Sequence, residues 1–333
     1  MRGAIIGDII GSTHEFANRV SSKEFELFPY GSTFTDDSVL TIAVYDSLKN
    51  NIPLEKSFMK WIEKYPNRGY GKMFFNWILS KKKKPYGSKG NGSAMRVSSV
   101  GWLYDTEEDV LREAKRVSEI THNHIEGIES AQAVAMCIYL GRIKKSKEEI
   151  REYIEEKFKY DLSKSVDEIR EGYVRSELGI DTVIPSIICF LDSNSFEDSI
   201  RNSISLNGDS DTLGCITGSI SEAYYGLDEE IWSKAMLFLP EDMIKLLDEE
   251  DPYFDYFGIL LEDVLISREK ALKRNRVSIT KEYTCFRCGN TNLEQFYARN
   301  DDDCWRGLCG VGGECIFCNK CMDIVEFCQT EMS

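Results

Sequence analysis

Eight of the eleven cysteines lie between Cys285 and Cys328, and this crowding splits the chain into two unlike parts. In a chain of 333 residues with no secretory leader expected, thiols spaced this closely point to bound metal rather than a disulfide framework. Cys137, Cys189 and Cys215 stand singly in apolar surroundings, where a free thiol behaves as a small core side chain. Just before the cysteine cluster, Arg268 to Lys281 carries six basic residues against the single acid Glu269, which reads as a last helix and a linker. The expected boundary lies near residue 280, with a large domain over 1–280 and a small Cys-rich domain over 281–333.

Upstream of the boundary the signals are helical. Apolar residues recur at helical spacing in Ile125, Ile128, Ala131, Ala135 and Ile138, a stripe suited to one inward-facing helix. Ser146 with Glu149, Ser195 with Asp198, and Thr106 before Glu107, Glu108 and Asp109 all have the form of helix starts. Long alternating strands are scarce, so the expected fold is all-α, a compact multi-helix bundle.

Past residue 280, Gly289, Asn290, Gly307, Gly310, Gly312 and Gly313 favour short turns and small β elements built around a metal. Cys285-Phe286-Arg287-Cys288-Gly289 has the form of a zinc knuckle, and Cys315, Cys318 and Cys321 supply two overlapping C-x-x-C pairs. The expected zinc-ribbon-like site is Cys285, Cys288, Cys318 and Cys321, with Cys315 as the alternative to Cys321; Cys304, Cys309 and Cys328 leave room for a second Zn²⁺. Four thiolates close the coordination shell, so this zinc is expected to be structural.

Charge limits the partners. The formal net charge is −15, and from Cys285 onward there are four basic against eight acidic residues, so general nucleic-acid binding is not expected. The aromatics Phe296, Tyr297 and Trp305 with Arg287, Arg299 and Arg306 leave the tail open to gripping a short single-stranded or protein ligand, and a macromolecular partner is expected there. The early apolar run Ala4 to Ile10 is interrupted by Asp8, and nothing reaches the roughly 18 apolar residues of a membrane span. The expectation is a soluble cytoplasmic protein with no membrane partner.

Two acidic clusters carry the chemistry. Thr35-Asp36-Asp37 precedes the apolar run Ser38 to Val44, and Asp209-Ser210-Asp211-Thr212 precedes Leu213, Ile216 and Ile220, with Gly214 and Gly218 letting a neighbour pack closely. Thr and Asp suit helix N-termini as caps, and capping accounts for one carboxylate in each cluster but not two. Paired carboxylates also suit hard divalent cations, and two such clusters brought together could hold two ions roughly 3.5–4 Å apart that polarise a water. Between the clusters, Gly87-Ser88-Lys89-Gly90-Asn91-Gly92-Ser93 is a loop whose amides could approach an anion, and it serves equally as a flexible surface loop.

In content and order, Gly7-Asp8-Ile9-Ile10-Gly11-Ser12-Thr13-His14-Glu15, Thr35-Asp36-Asp37-Ser38, Gly90-Asn91-Gly92-Ser93-Ala94-Met95-Arg96, Thr121-His122 and Gly208-Asp209-Ser210-Asp211-Thr212 resemble the ADP-ribosylglycohydrolase family. The likeness spans roughly residues 1 to 265. It implies an all-α orthogonal bundle with a centre of two Mg²⁺ or Mn²⁺ ions, and hydrolysis of ADP-ribosylated protein, nucleic acid or small molecule at the distal ribose. By motif, Thr35, Asp36, Asp37, Asp209, Asp211 and Thr212 would hold the ions. Glu15, Asp36 and Asp211 would be catalytic, Glu15 by gating the cleft or moving a proton. Gly90, Asn91, Gly92, Ser93, Met95 and His122 would bind ADP-ribose, with His124 as the near ambiguity to His122. A binding module without turnover is the alternative. The Cys-rich tail lies outside the family pattern.

Overall fold

A computed structural model describes residues 1–15 and 22–248, together with the strand segments 296–300, 314–318 and 323–328. Fifteen helices are present among the described residues: α1 (Arg2–Gly11), α2 (Asp36–Lys49), α3 (Leu54–Lys64), α4 (Lys72–Leu79), the short α5 (Gly92–Met95) and α6 (Ser98–Leu103), α7 (Glu107–Glu119), α8 (Ile125–Arg142), α9 (Lys147–Phe158), α10 (Val166–Gly172), α11 (Gly179–Leu191), α12 (Phe196–Ile204), α13 (Ser210–Tyr225), α14 (Glu229–Met236) and α15 (Glu241–Asp248). Up to residue 248 the only pairing of extended backbone described is an isolated bridge between Gly90 and Leu178. This part is helical, as expected. Cys-rich segments form β1 (Phe296–Asn300), β2 (Glu314–Cys318) and β3 (Asp323–Cys328), an antiparallel sheet in that order, with Phe296 opposite Cys318 and a register shift at Ile316/Phe317.

The helix starts obey their local chemistry. Ser146 and Glu149 form a complete capping box, and the Thr106 hydroxyl accepts from the Asp109 amide. The Ser195 hydroxyl likewise accepts from the Asp198 amide, but the Asp198 carboxylate turns to the Asn194 amide (2.9 Å) and to Lys23, so the reciprocal half of that box is absent. In α8 the apolar stripe faces inward at Ile128, Ala131, Ala135 and Ile138, whereas Ile125 is 59% exposed in the first turn, directly after the capping residue. Cys137, Cys189 and Cys215 are fully buried free thiols.

Two long helices organise the core. α13 packs against α1, α8, α11 and α12 and also touches α2 and α5, while α8 packs against α6, α7 and α9. The tightest of these contacts is backbone on backbone. α1 runs antiparallel to α13, with Gly3 against Gly218, Gly7 against Gly214 and Gly11 against Ser210. The close packing expected at Gly214 and Gly218 is therefore met by glycines at the same spacing in α1. Because the pair is antiparallel, the end of α1 and the following Ser12–Glu15 lie at the start of α13. The contact brings Asp8 and Glu15, at and after the end of α1, to the acidic stretch that opens α13.

Candidate active site

Asp8, on α1, is fully buried and is the organiser of the first cluster. Its carboxylate accepts from the Thr35 amide (2.9 Å), the Thr35 hydroxyl (2.7 Å), the Ser38 amide (3.1 Å) and the Ser38 hydroxyl. The start of α2 is thus tied to α1. Thr35 is the N-cap and its hydroxyl accepts from the Asp37 amide, so the cap is supplied by threonine and neither Asp36 nor Asp37 is needed for it. A threonine hydroxyl that donates once and accepts once still has one lone pair for a ligand.

In the second cluster one acid, Asp209, is free of capping, and the other, Asp211, takes a first-turn amide. Asp209 is the N-cap residue of α13 but its side chain caps nothing; it accepts from the Asn91 side-chain amide (2.6 Å) and from Arg175 (3.1 Å). Asp211 accepts from the Thr212 amide (2.9 Å). Glu15, Asp209 and Asp211 bring one carboxylate oxygen each to within 4.8 Å of one another, an arrangement that could hold a metal ion.

Electrostatics shows that the clusters share one space. Burial raises the Asp37 carboxyl well above the usual carboxylate range, and the charges of Asp211, Asp8, Asp36 and Asp209 add to it. Asp36 is raised by burial, then by Asp8, Asp209 and Glu15, and Asp211 by burial, then by Asp209, Glu15, Asp8 and Asp36. Glu15 is pushed up to about 7, mostly by burial and the Asp209 charge, against the pull of Arg175. Arg175 opposes this repulsion at Glu15 and Asp209, while no cation is among the leading causes that act on Asp36, Asp37 or Asp211. Asp37 Oδ1 is buried without a hydrogen-bond partner, which in a native interior asks for an unrepresented cation or water. Buried carboxylate oxygens with the Thr35 hydroxyl beside them are the donor set of a hard divalent ion, so the residues fit that group.

The glycine-rich segment faces this centre but spends part of its backbone internally. The Gly90 amide donates to the Ser88 hydroxyl (3.1 Å) and the Asn91 amide to the Glu177 carbonyl (2.9 Å). Gly92 and Ser93, in the first turn of α5, have amides with no acceptor inside the helix. Ser93 turns its hydroxyl to the Gly127 carbonyl (2.7 Å), and Met95 is buried, its carbonyl accepting from Thr41 and Cys215.

His122 is buried with its ring against Gly90 and Gly92, while His124 caps α8 by accepting from the Glu126 amide. Arg96, fully buried, donates to the Thr121 hydroxyl (2.6 Å), which lies 2.7 Å from His122 Nδ1. Arginine only donates, so the Thr121 proton is left to His122 Nδ1 or to the Tyr86 hydroxyl, and where Nδ1 takes it Nε2 is an N–H donor toward the glycine loop. Burial, then the Arg96 charge, lowers the imidazole well below its ordinary pKa, so the ring is neutral.

Three participants escaped sequence reasoning. Asp8 stood in an apolar run and in the first motif without a role of its own, Arg96 at a motif terminus, and Arg175 carried no signal at all. The expected zinc ligands Cys285, Cys288 and Cys321, together with Cys304, Cys309 and the boundary near 280, lie outside the described residues; Cys315 and Cys318 fall in β2 and Cys328 in β3.

By fold and site residues 1–248 form a helical unit with an acidic centre suited to cations. The ADP-ribosylglycohydrolase family model matches residues 1–272, and the chain belongs to that family of hydrolases. ADP-ribosylhydrolase ARH3 of Mus musculus is 27% identical over 317 residues, covering 71% of this chain and 85% of that protein. ADP-ribosyl-[dinitrogen reductase] glycohydrolase of Rhodospirillum rubrum is 24% identical, covering 68% and 84%. A solved structure of an ADP-ribosylglycohydrolase-related protein complex shares the fold, with a TM-score of 0.56 at 23% identity over 73% of this chain and 92% of its own. No helix among the described residues is long and apolar enough to cross a membrane.

Proposed function

We propose that this protein is a divalent-metal-dependent hydrolase that releases ADP-ribose from an ADP-ribosylated acceptor by cleaving the bond at the distal ribose anomeric carbon. The reading rests on family membership and on one observation above others, the partnerless buried Asp37 Oδ1 in a surplus of carboxylates. Thr35, Asp36, Asp37, Asp209, Asp211 and Thr212 would hold two Mg²⁺ or Mn²⁺ ions. When bound, such ions supply Lewis acidity and orient substrate oxygens.

The chain's own groups then have separable tasks. Asn91 fixes the Asp209 carboxylate by its 2.6 Å hydrogen bond. Glu15, half-buried beside Asp209 and Arg175, is the carboxylate placed to gate the cleft or to move a proton there. His122, neutral, offers a fixed donor beside Gly90 and Gly92, where the diphosphate of ADP-ribose would lie. Asp8 touches no substrate in this scheme and acts as a positioning residue for Thr35 and Ser38.

The tail reads as a separate domain, 281–333, holding at least one structural Zn²⁺ through Cys285, Cys288, Cys318 and Cys321 and contacting a macromolecular partner. A panel of arginine-, serine- and nucleic-acid-linked ADP-ribose and O-acetyl-ADP-ribose, assayed with Mg²⁺, Mn²⁺ or EDTA, tests the activity. Release of ADP-ribose from one linkage class, abolished by EDTA, is expected. Tight ADP-ribose binding with no release from any of them would make the protein a binding module.

A further inference from the structure

The segment between α10 and α11 lies over the acidic centre and is pinned on both sides. Asn91 donates its amide to the Glu177 carbonyl (2.9 Å) and Gly179 donates to the Lys89 carbonyl (2.8 Å), which joins the segment to the glycine loop. At its start, the Tyr173 ring abuts Gly208, and its hydroxyl donates to the Asp181 carbonyl (3.1 Å). That carbonyl stands four residues before Pro185, which has no N–H to give it. Ser176 donates to the Asp181 carboxylate (2.8 Å).

From this strap Arg175 reaches inward. Its Nη2 lies 2.7 Å from Glu15 Oε1 and 3.1 Å from Asp209 Oδ1, and Nη1 lies 3.5 Å from Glu177 Oε1. Glu15 and Asp209 are two of the three carboxylates whose oxygens could converge on an ion. A guanidinium holds them already.

We infer that Arg175 is an internal counter-cation for this half of the centre, competing with a divalent ion for Glu15 and Asp209 and so setting how tightly that ion is held. The inference rests on the divalent reading proposed above. Lodging an ion among Glu15, Asp209 and Asp211 adds a second cation beside the guanidinium, so the ion binds at the expense of two Arg175 ion pairs, and Arg175 must turn away along its pinned strap. In the absence of the ion, the arginine offsets part of the repulsion among the acids. The ion at the other half, near Asp36 and Asp37, does not meet this competition.

The test uses the full chain, stripped of divalent ions and titrated with Mn²⁺ by calorimetry and by the EPR signal of free Mn²⁺, for wild type, Arg175→Ala and Arg175→Gln. Removing the competitor is expected to tighten the weaker Mn²⁺ site by about tenfold, as loss of a partly buried charge partner does. Metal-free Arg175→Ala should melt below metal-free wild type, and the difference should close when both are saturated with Mn²⁺. Arg175→Gln carries the same comparison if the alanine variant folds poorly. Equal or weaker Mn²⁺ affinity in both variants overturns the competition alone. No Mn²⁺ binding to any of the three proteins overturns the divalent reading and this inference with it.

Discussion

Gly7 and Gly214 meet backbone to backbone, so closely that a Cβ on Gly7 would lie 1.9 Å from the Gly214 carbonyl oxygen. Nothing flexible stands on either side to move aside. The contact sets the depth at which α1 lies on α13, and with it the distance from Asp8 and Glu15 to Asp209 and Asp211.

Gly7→Ala should therefore act on the site as well as on stability. Overpacking in a core costs about 1–3 kcal/mol, and a clash with backbone places this substitution at or above the upper end. Urea unfolding should show the loss. Mn²⁺ affinity should fall in the same variant, because the two clusters are forced apart. Gly226→Ala, where an added Cβ meets nothing but φ is +90°, is the strained control that should leave Mn²⁺ affinity unchanged.

Asp37→Asn keeps the shape of the side chain and removes one charge facing Asp211, Asp8 and Asp36. At pH 8 the metal-free variant should melt about 2–4 °C above metal-free wild type, the shift that roughly 1 kcal/mol produces in a domain of this size. Added Mg²⁺ or Mn²⁺ should raise the melting temperature of wild type and leave the variant unmoved. Differential scanning calorimetry with and without EDTA reads both effects.

The raised acids give metal-free protein an unusual pH dependence. An acid whose pKa is higher folded than unfolded binds more protons in the folded state, so its contribution is present below the unfolded value and is lost as pH rises through the folded one. For Glu15 that window runs from 4.5 to about 7, and Asp36, Asp37 and Asp211 shift in the same direction. Stability of the metal-free protein should fall as pH rises from 5 to 8. Saturating Mg²⁺, which favours ionised acids, should flatten or reverse the slope.

Thr121→Val removes the hydroxyl that links Arg96 to His122. Leaving buried donors without partners costs about 1–3 kcal/mol of stability, and freeing the His122 ring to turn should weaken ADP-ribose binding. Nitrogen-15 spectra of the wild-type imidazole should show a neutral ring protonated at Nε2, and the variant a mixture of tautomers. A wild-type ring protonated at Nδ1 would contradict this and give the Thr121 proton to the Tyr86 hydroxyl.

Much of this was legible in the sequence because it is local. The paired acids following Thr35 and flanking Ser210, the glycines of α13 and the apolar face of α8 announce themselves by spacing alone. Asp8 and Arg175 do not, since each takes its meaning from partners remote in sequence: 27 and 30 residues on for Asp8, and 160 residues back for Arg175 to Glu15. The same distance hides Asn91, whose place in a glycine-rich loop suggested an anion cradle, whereas its side chain turns to Asp209, 118 residues away. Ile125 misled in the other direction. Its spacing matched the buried stripe, but the first turn of α8 projects past the core.

At the centre of the proposed chemistry, the two helix starts share one pair of divalent ions. Crystals grown with Mn²⁺ and measured at the manganese absorption edge test this directly. Two anomalous peaks are expected, each within bonding distance of carboxylate oxygens, with Asp36 and Asp37 on one side and Asp209 and Asp211 on the other. A centre without manganese at saturating concentration, or ions bound only by one cluster, would contradict it.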